Sequence, residues 1–125
     1  MTESDATAVA GIVGRYFAVW NETDPARRRD LIAATWSDDA GYVDPMFEAD
    51  GAAGLDAMVA RVQQQFPGHR FRLAGGIDAH HDRARWAWEL AGPDGATVAA
   101  GVDFAVLTSD GRLRSVTGFL EAPAA

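Results

Sequence analysis

The sequence predicts an α+β fold, with three helices packed on one face of a curved, mostly antiparallel sheet. Three observations predict it. Before Gly68, apolar residues recur at helical spacing in three separate segments. After Gly68 no helical pattern appears, and four strand-like segments follow. The turn signals between those strands, among them Pro93-Asp94-Gly95 and Asp110-Gly111, are short enough for hairpins.

The first helix is expected over residues 5–21. Val9, Ile12, Val13, Tyr16, Phe17 and Trp20 form one apolar stripe along it. Asp24-Pro25 starts a second helix, because Asp caps and Pro fits the first helical position. It is expected to run to residue 36 and to bury Leu31, Ile32, Thr35 and Trp36. Arg27, Arg28 and Arg29 on it read as a solvated basic face. A short strand over residues 40–44 is stopped by Pro45, which cannot donate to a ladder. Asp44 therefore stands at a strand end, where a side chain can project into a cleft. Residues 47–54, with Asp50-Gly51 and Gly54, read as a loop or small hairpin. The third helix is expected over residues 55–66, with Leu55, Met58, Val59, Val62 and Phe66 inward. Strands follow over residues 70–79, 83–90, 98–107 and 112–121. The terminal Ala-Pro-Ala-Ala is expected to fray.

The length of 125 residues suits one domain spanning the chain. Eleven basic against 18 acidic residues give a net charge of −7. Such a chain is a poor partner for nucleic acid or an anionic membrane. There is no cysteine, so disulfides and thiolate metal sites are excluded. The acidic, polar N-terminal segment does not read as a signal peptide, and no run is apolar enough to span a bilayer. A cytoplasmic location is the expectation. No motif calls for a cofactor. His80-His81-Asp82 does not make a metal site, because neighbouring strand residues point to opposite faces. At a turn these histidines are expected on the surface, with a reach to the pocket mouth as the alternative.

One residue stands out. Between Val98 and Leu107 every side chain is apolar or absent except that of Asp103. An ionised carboxylate is costly to bury there. Asp103 must pair with a cation such as Arg70, Arg72, Arg83 or Arg85, stay protonated, or face a cavity. Asp44 has its own alternative as a turn cap, and Tyr16 as a core residue bonded to backbone. Together the three suit proton transfer beside a carbonyl, with a carboxylate base and hydrogen-bond donors at the developing oxyanion. Trp86 and Trp88 share one strand face and are expected as core or pocket wall.

Three stretches sit in this frame: Tyr16-Phe17, Trp36 to Pro45 (WSDDAGYVDP), and Asp103 to Leu113 (DFAVLTSDGRL) with Gly118-Phe119 beyond it. On these the chain resembles the ketosteroid-isomerase-like and SnoaL-like group of the NTF2-like superfamily. The resemblance implies a cone-shaped α+β fold and a cofactor-free isomerase, lyase or cyclase of a small hydrophobic molecule. It implies Asp44 as general base, Tyr16 and Asp103 as oxyanion donors, and a homodimer through the sheet. Trp36 and Val59 stand where the isomerases carry supporting tyrosines. With Trp86, Trp88 and Phe119 they are the expected substrate-binding residues. A non-catalytic ligand-binding or dimerisation domain suits the same fold, as does dehydratase or epoxide-hydrolase chemistry. The last would want an Arg-x-Asp on a strand, and none is found.

Overall fold

The computed structural model describes residues 3 to 121. Its elements are α1 (Glu3–Asn21), α2 (Pro25–Thr35), β1 (Trp36–Val43), β2 (Glu48–Asp50), α3 (Gly51–Gln65), β3 (Arg70–His80), β4 (Arg83–Ala91), β5 (Thr97–Leu107) and β6 (Leu113–Leu120). The expected α+β order is present. The expected fraying of residues 122–125 lies outside the described residues.

The six strands form one sheet in the order β2-β1-β6-β5-β4-β3. Every pairing is antiparallel except β1 with β6. Near its middle β3 slips register between Ala74 and Ile77, where Gly75 takes a φ of 84°. Such an irregularity bends a strand and adds twist. The helices cover one face. Helix α1 packs on β3, and α3 packs on β1.

The apolar stripes do what their spacing requires. Val9, Ile12, Val13, Tyr16 and Trp20 of α1 are buried, as are Leu55, Met58, Val59 and Val62 of α3. Asp24 caps α2 by accepting from the Arg27 amide at 2.9 Å. Two boundaries differ from the expectation. Trp36 leaves the helix and opens β1, which is therefore longer than residues 40–44. Of the loop or small hairpin expected over residues 47–54, the hairpin is present as the antiparallel pairing of β2 with β1, but β2 runs straight into α3, which starts at Gly51 rather than at residue 55. Two glycines, Gly51 and Gly54, hide that first turn from a propensity reading.

The basic run on α2 is not wholly a solvated face. Arg27 and Arg29 are exposed, but Arg28 is buried. Its Nε donates to Asp56 at 2.6 Å. Its Nη1 donates to the Glu22 carbonyl at 3.0 Å and to Gln63 Oε1 at 3.1 Å. Gln63 in turn donates to the Trp20 and Glu22 carbonyls. One guanidinium thus ties the end of α1 to α2 and α3. Removing it strands Asp56, which is mostly buried. Arg28→Ala should lower stability by about 2–4 kcal/mol in urea unfolding, while Arg27→Ala and Arg29→Ala stay within about 0.5 kcal/mol of the parent. Equal effects at all three positions would contradict the clamp.

Candidate active site

Asp103 sits near the middle of β5, paired with Trp86 on β4 and Gly118 on β6. It is 3% exposed. The four arginines expected as partners do not reach it: Arg72 pairs with Glu89, Arg83 with Asp82 and Arg85 with Asp78, and Arg70 forms no ion pair among the described residues. Its partners are neutral donors. The Tyr16 hydroxyl donates to Oδ2 at 2.7 Å, and the Trp88 indole N–H donates to Oδ1 at 3.1 Å. Burial raises the Asp103 pKa from 3.8 to about 6. The bonds from Tyr16 and Trp88 hold it down against that rise, and the charge of Asp44 adds to it.

Asp44 follows β1 and is half-buried. Its Oδ1 accepts from the Met46 and Phe47 amides at 2.8 and 2.7 Å, so the turn-cap alternative is realised. Its Oδ2 also accepts from the Tyr42 hydroxyl at 2.6 Å. Tyr42 is two residues back on the same strand, hence on the same face. Burial, foremost, and the Asp103 charge push the pKa of both phenols upward, so both keep their protons at neutral pH.

These two acid–phenol pairs meet in one apolar cavity of about 140 Å³. Tyr16, Tyr42, Asp44, Asp103 and Trp88 all line it. Two glycines make room. A Cβ on Gly118 would fall 3.0 Å from Asp103 Oδ1, 3.1 Å from Asp44 Cβ and 3.2 Å from the Tyr42 hydroxyl. A Cβ on Gly101 would fall 2.6 Å from the Trp88 indole. Gly118 thus lies between the two acid pairs, and Gly101 is the bed on which Trp88 lies.

Not every expected wall residue reaches the cavity. Trp86 and Trp36 are core residues; their rings pack on that of Tyr16, with centroids 5.1 and 5.8 Å away, and hold it from the side. Val59 is buried in the core, and Val62 of α3 and Phe66 just past its end line the cavity instead. Phe119 borders the mouth, but it pairs with Val102, on the face alternate to Asp103. His80 and His81 are exposed at the β3–β4 turn. His81 borders a separate groove at the opposite end of the sheet, so neither serves this mouth. The Asp110-Gly111-Arg112 stretch belongs to that far end: Arg112 donates to Asp110 and to the Trp36 carbonyl, pinning the β5–β6 turn to β1. Among the described residues no group of carboxylates and histidines is placed to hold a metal. Tyr42 is a site residue that no sequence motif singles out; its two-residue spacing from Asp44 on one strand is the signal that places it there.

An open curved sheet capped by helices, with carboxylates in the hollow, defines a cone-shaped pocket protein of the NTF2-like fold. Residues 13–116 match the model of the SnoaL-like domain. The chain belongs to that family. A candidate isomerase of the SnoaL-like family from Agrobacterium tumefaciens is 42% identical, with a TM-score of 0.89 over 93% of this chain and 99% of that one. A candidate SnoaL-like polyketide cyclase from Jannaschia shares the fold at 18% identity and TM-score 0.73, over 93% of this chain and 87% of that one. So does an NTF2-like protein of unknown function from Exiguobacterium, at 24% identity and TM-score 0.67, over 90% and 99%. Among curated proteins no match is found. No described helix is long and apolar enough to cross a membrane.

The raised Asp103 pKa has a consequence for stability. The folded protein holds this proton more tightly than the unfolded chain, so stability is lost as pH rises from about 4 through about 6. The loss is on the order of 3 kcal/mol. Asp103→Asn keeps the shape without the charge; its carbonyl can accept from Trp88 while its amide donates to the Tyr16 oxygen. The variant should gain on the parent as pH rises through that window in urea titrations, and the gap should level off above it. A gap that does not change with pH would mean that Asp103 ionises in the ordinary carboxylate range.

Proposed function

We propose that the protein is a cofactor-free enzyme that moves a proton on a small hydrophobic carbonyl compound, as an isomerase, lyase or cyclase does. The observation that carries this reading is the convergence of two carboxylates and two phenols on one apolar cavity, with Asp103 ionising near neutrality. The likeness to a candidate SnoaL-like isomerase supports it.

The geometry favours exchanging the roles suggested by sequence. Asp44 is already held by three donors, two of them backbone amides that fix the turn. Asp103 is held only by two side chains, and a pKa of about 6 suits a group that both takes and returns a proton. In the proposed step the Asp103 carboxylate takes a proton from the carbon beside the carbonyl. The C–H electron pair moves into the ring or chain, and the carbonyl oxygen becomes an enolate. As Asp103 gains the proton, its pull on the Tyr16 hydrogen weakens, and that hydrogen turns to the enolate oxygen. Tyr42 keeps its hydrogen on Asp44 and holds that carboxylate at the cavity wall. Asp103 then returns the proton to the same or another carbon, which closes the cycle with no net change in atoms.

Deuterium uptake from D2O into a panel of small cyclic ketones, followed by NMR, tests this. Asp103→Asn should lower the exchange rate by about 10²–10⁴-fold while ligand binding, read from tryptophan fluorescence, is kept. As a base, Asp103 should make kcat/KM rise with pH through about 6. A kcat/KM that falls through the same range would return Asp103 to the donor role and Asp44 to the base. Binding with no exchange for any ketone would leave a ligand-binding domain.

We also propose a homodimer through the sheet. Val102, Phe104 and Val106 lie on the face alternate to Asp103, and Phe104 is 40% exposed. Val102 and Val106 beside it are half-buried, and an apolar strip left partly open to solvent in this way suits an interface. Sedimentation at micromolar concentration should show a dimer that Phe104→Arg dissociates; a monomeric parent would contradict it.

A further inference from the structure

The cavity sorts its contents by depth. Asp103, Tyr16 and Tyr42 are at its buried end, each at most 6% exposed. Phe17, Val62, Phe71 and Leu90 form apolar walls. Met46 and Leu120 border the mouth and are 61% and 45% exposed. Among the described residues, the charged groups in the lining are two acids, Asp44 and Asp103, and no Lys, Arg or His lines it. At about 140 Å³ this open-mouthed pocket is close in volume to the roughly 150 Å³ that holds a benzene ring in an apolar protein cavity.

From this we infer that the substrate is a neutral single-ring carbonyl compound, held oxygen-inward against the phenols, with an apolar substituent lying over Met46 and Leu120. The inference rests on the proton-transfer reading above and narrows it. An anionic substrate would bring a third negative charge beside Asp44 and Asp103 with no cation to meet it. A fused multi-ring compound exceeds that volume and would project past the mouth. A single ring fills it and leaves the exposed rim to be covered, which removes apolar surface from water. The reacting carbon is then near the oxygen, at the Asp103 end.

The probes are phenols, which mimic the enol of such a ring without needing any reaction. Phenol, 4-ethylphenol and 4-butylphenol are titrated against the full chain near neutral pH, by tryptophan fluorescence and calorimetry, beside 4-butylbenzoate and 2-naphthol. Affinity should rise about two- to fourfold per methylene. The benzoate should bind weaker than the butylphenol by at least about tenfold. The naphthol should also bind more weakly than the butylphenol. Leu120→Ser, at an exposed position, should flatten the gain per methylene. Benzoate binding as tight as butylphenol, naphthol binding tighter, or no gain along the alkyl series would each overturn the inference. If the alkylphenols bind as expected but no ketone exchanges its protons, the size and charge of the ligand stand and the proton-transfer reading fails. If exchange occurs only on anionic ketones, proton transfer stands and this inference fails.

Discussion

The constraint on which the structure turns is the burial of one carboxylate in the middle of a sheet. Asp103 lies among Gly101, Ala105 and Leu107 on the inner face of β5, almost without exposure. An unpaired charge there would be prohibitive, and a salt bridge would hold it permanently ionised. The fold takes a third course. It aims two neutral donors at it, one across the core from α1 and one from the neighbouring strand. Neutral donors lower the cost of the charge without abolishing it, so the group is left able to titrate close to neutral pH.

Much of the surrounding architecture follows from that arrangement. Tyr16 must hold its hydroxyl against β5, and the rings of Phe17, Trp20, Trp36 and Trp86 fix it there, mostly by edge contacts. Trp88 must lie flat enough to reach Asp103, which requires a residue without a side chain beneath it at Gly101. Gly118 must be equally bare, or Asp103, Asp44 and Tyr42 would be forced apart. The parallel pairing of β1 with β6 brings Asp44 beside that glycine from a distant part of the sequence. The second carboxylate is thereby placed where its charge raises the pKa of the first.

The elements were legible in the sequence because their signals are local. Stripes on α1 and α3, the Asp-Pro cap and the hairpin turns each depend on neighbours a few residues away. Asp103 was legible as an anomaly, a single acid in an apolar strand. What was not legible depends on long-range geometry. Arg28 looks like its neighbours in sequence, and only the arrival of Asp56 and Gln63 from α3 separates it from them. Trp86 and Trp88 share a face, and which of them meets the cavity is decided by where α1 crosses: Tyr16 covers Trp86 and leaves Trp88 open. Val59 and Val62 are one turn apart on the same stripe, and the position of the cavity along α3 chooses between them. Tyr42 could have been paired with Asp44 by strand spacing alone, but its proximity to Asp103 comes from the sheet order, which the sequence does not display.

The most direct test of this account is to titrate Asp103 itself, by following its side-chain carboxyl carbon by NMR as pH changes. The midpoint should lie near 6 in the parent. It should move higher in Trp88→Phe, where a donor to the ionised form is lost while the ring is kept. A midpoint near 4 in both proteins would show that burial does not control this carboxylate, and the proton-carrying role built on it would fall.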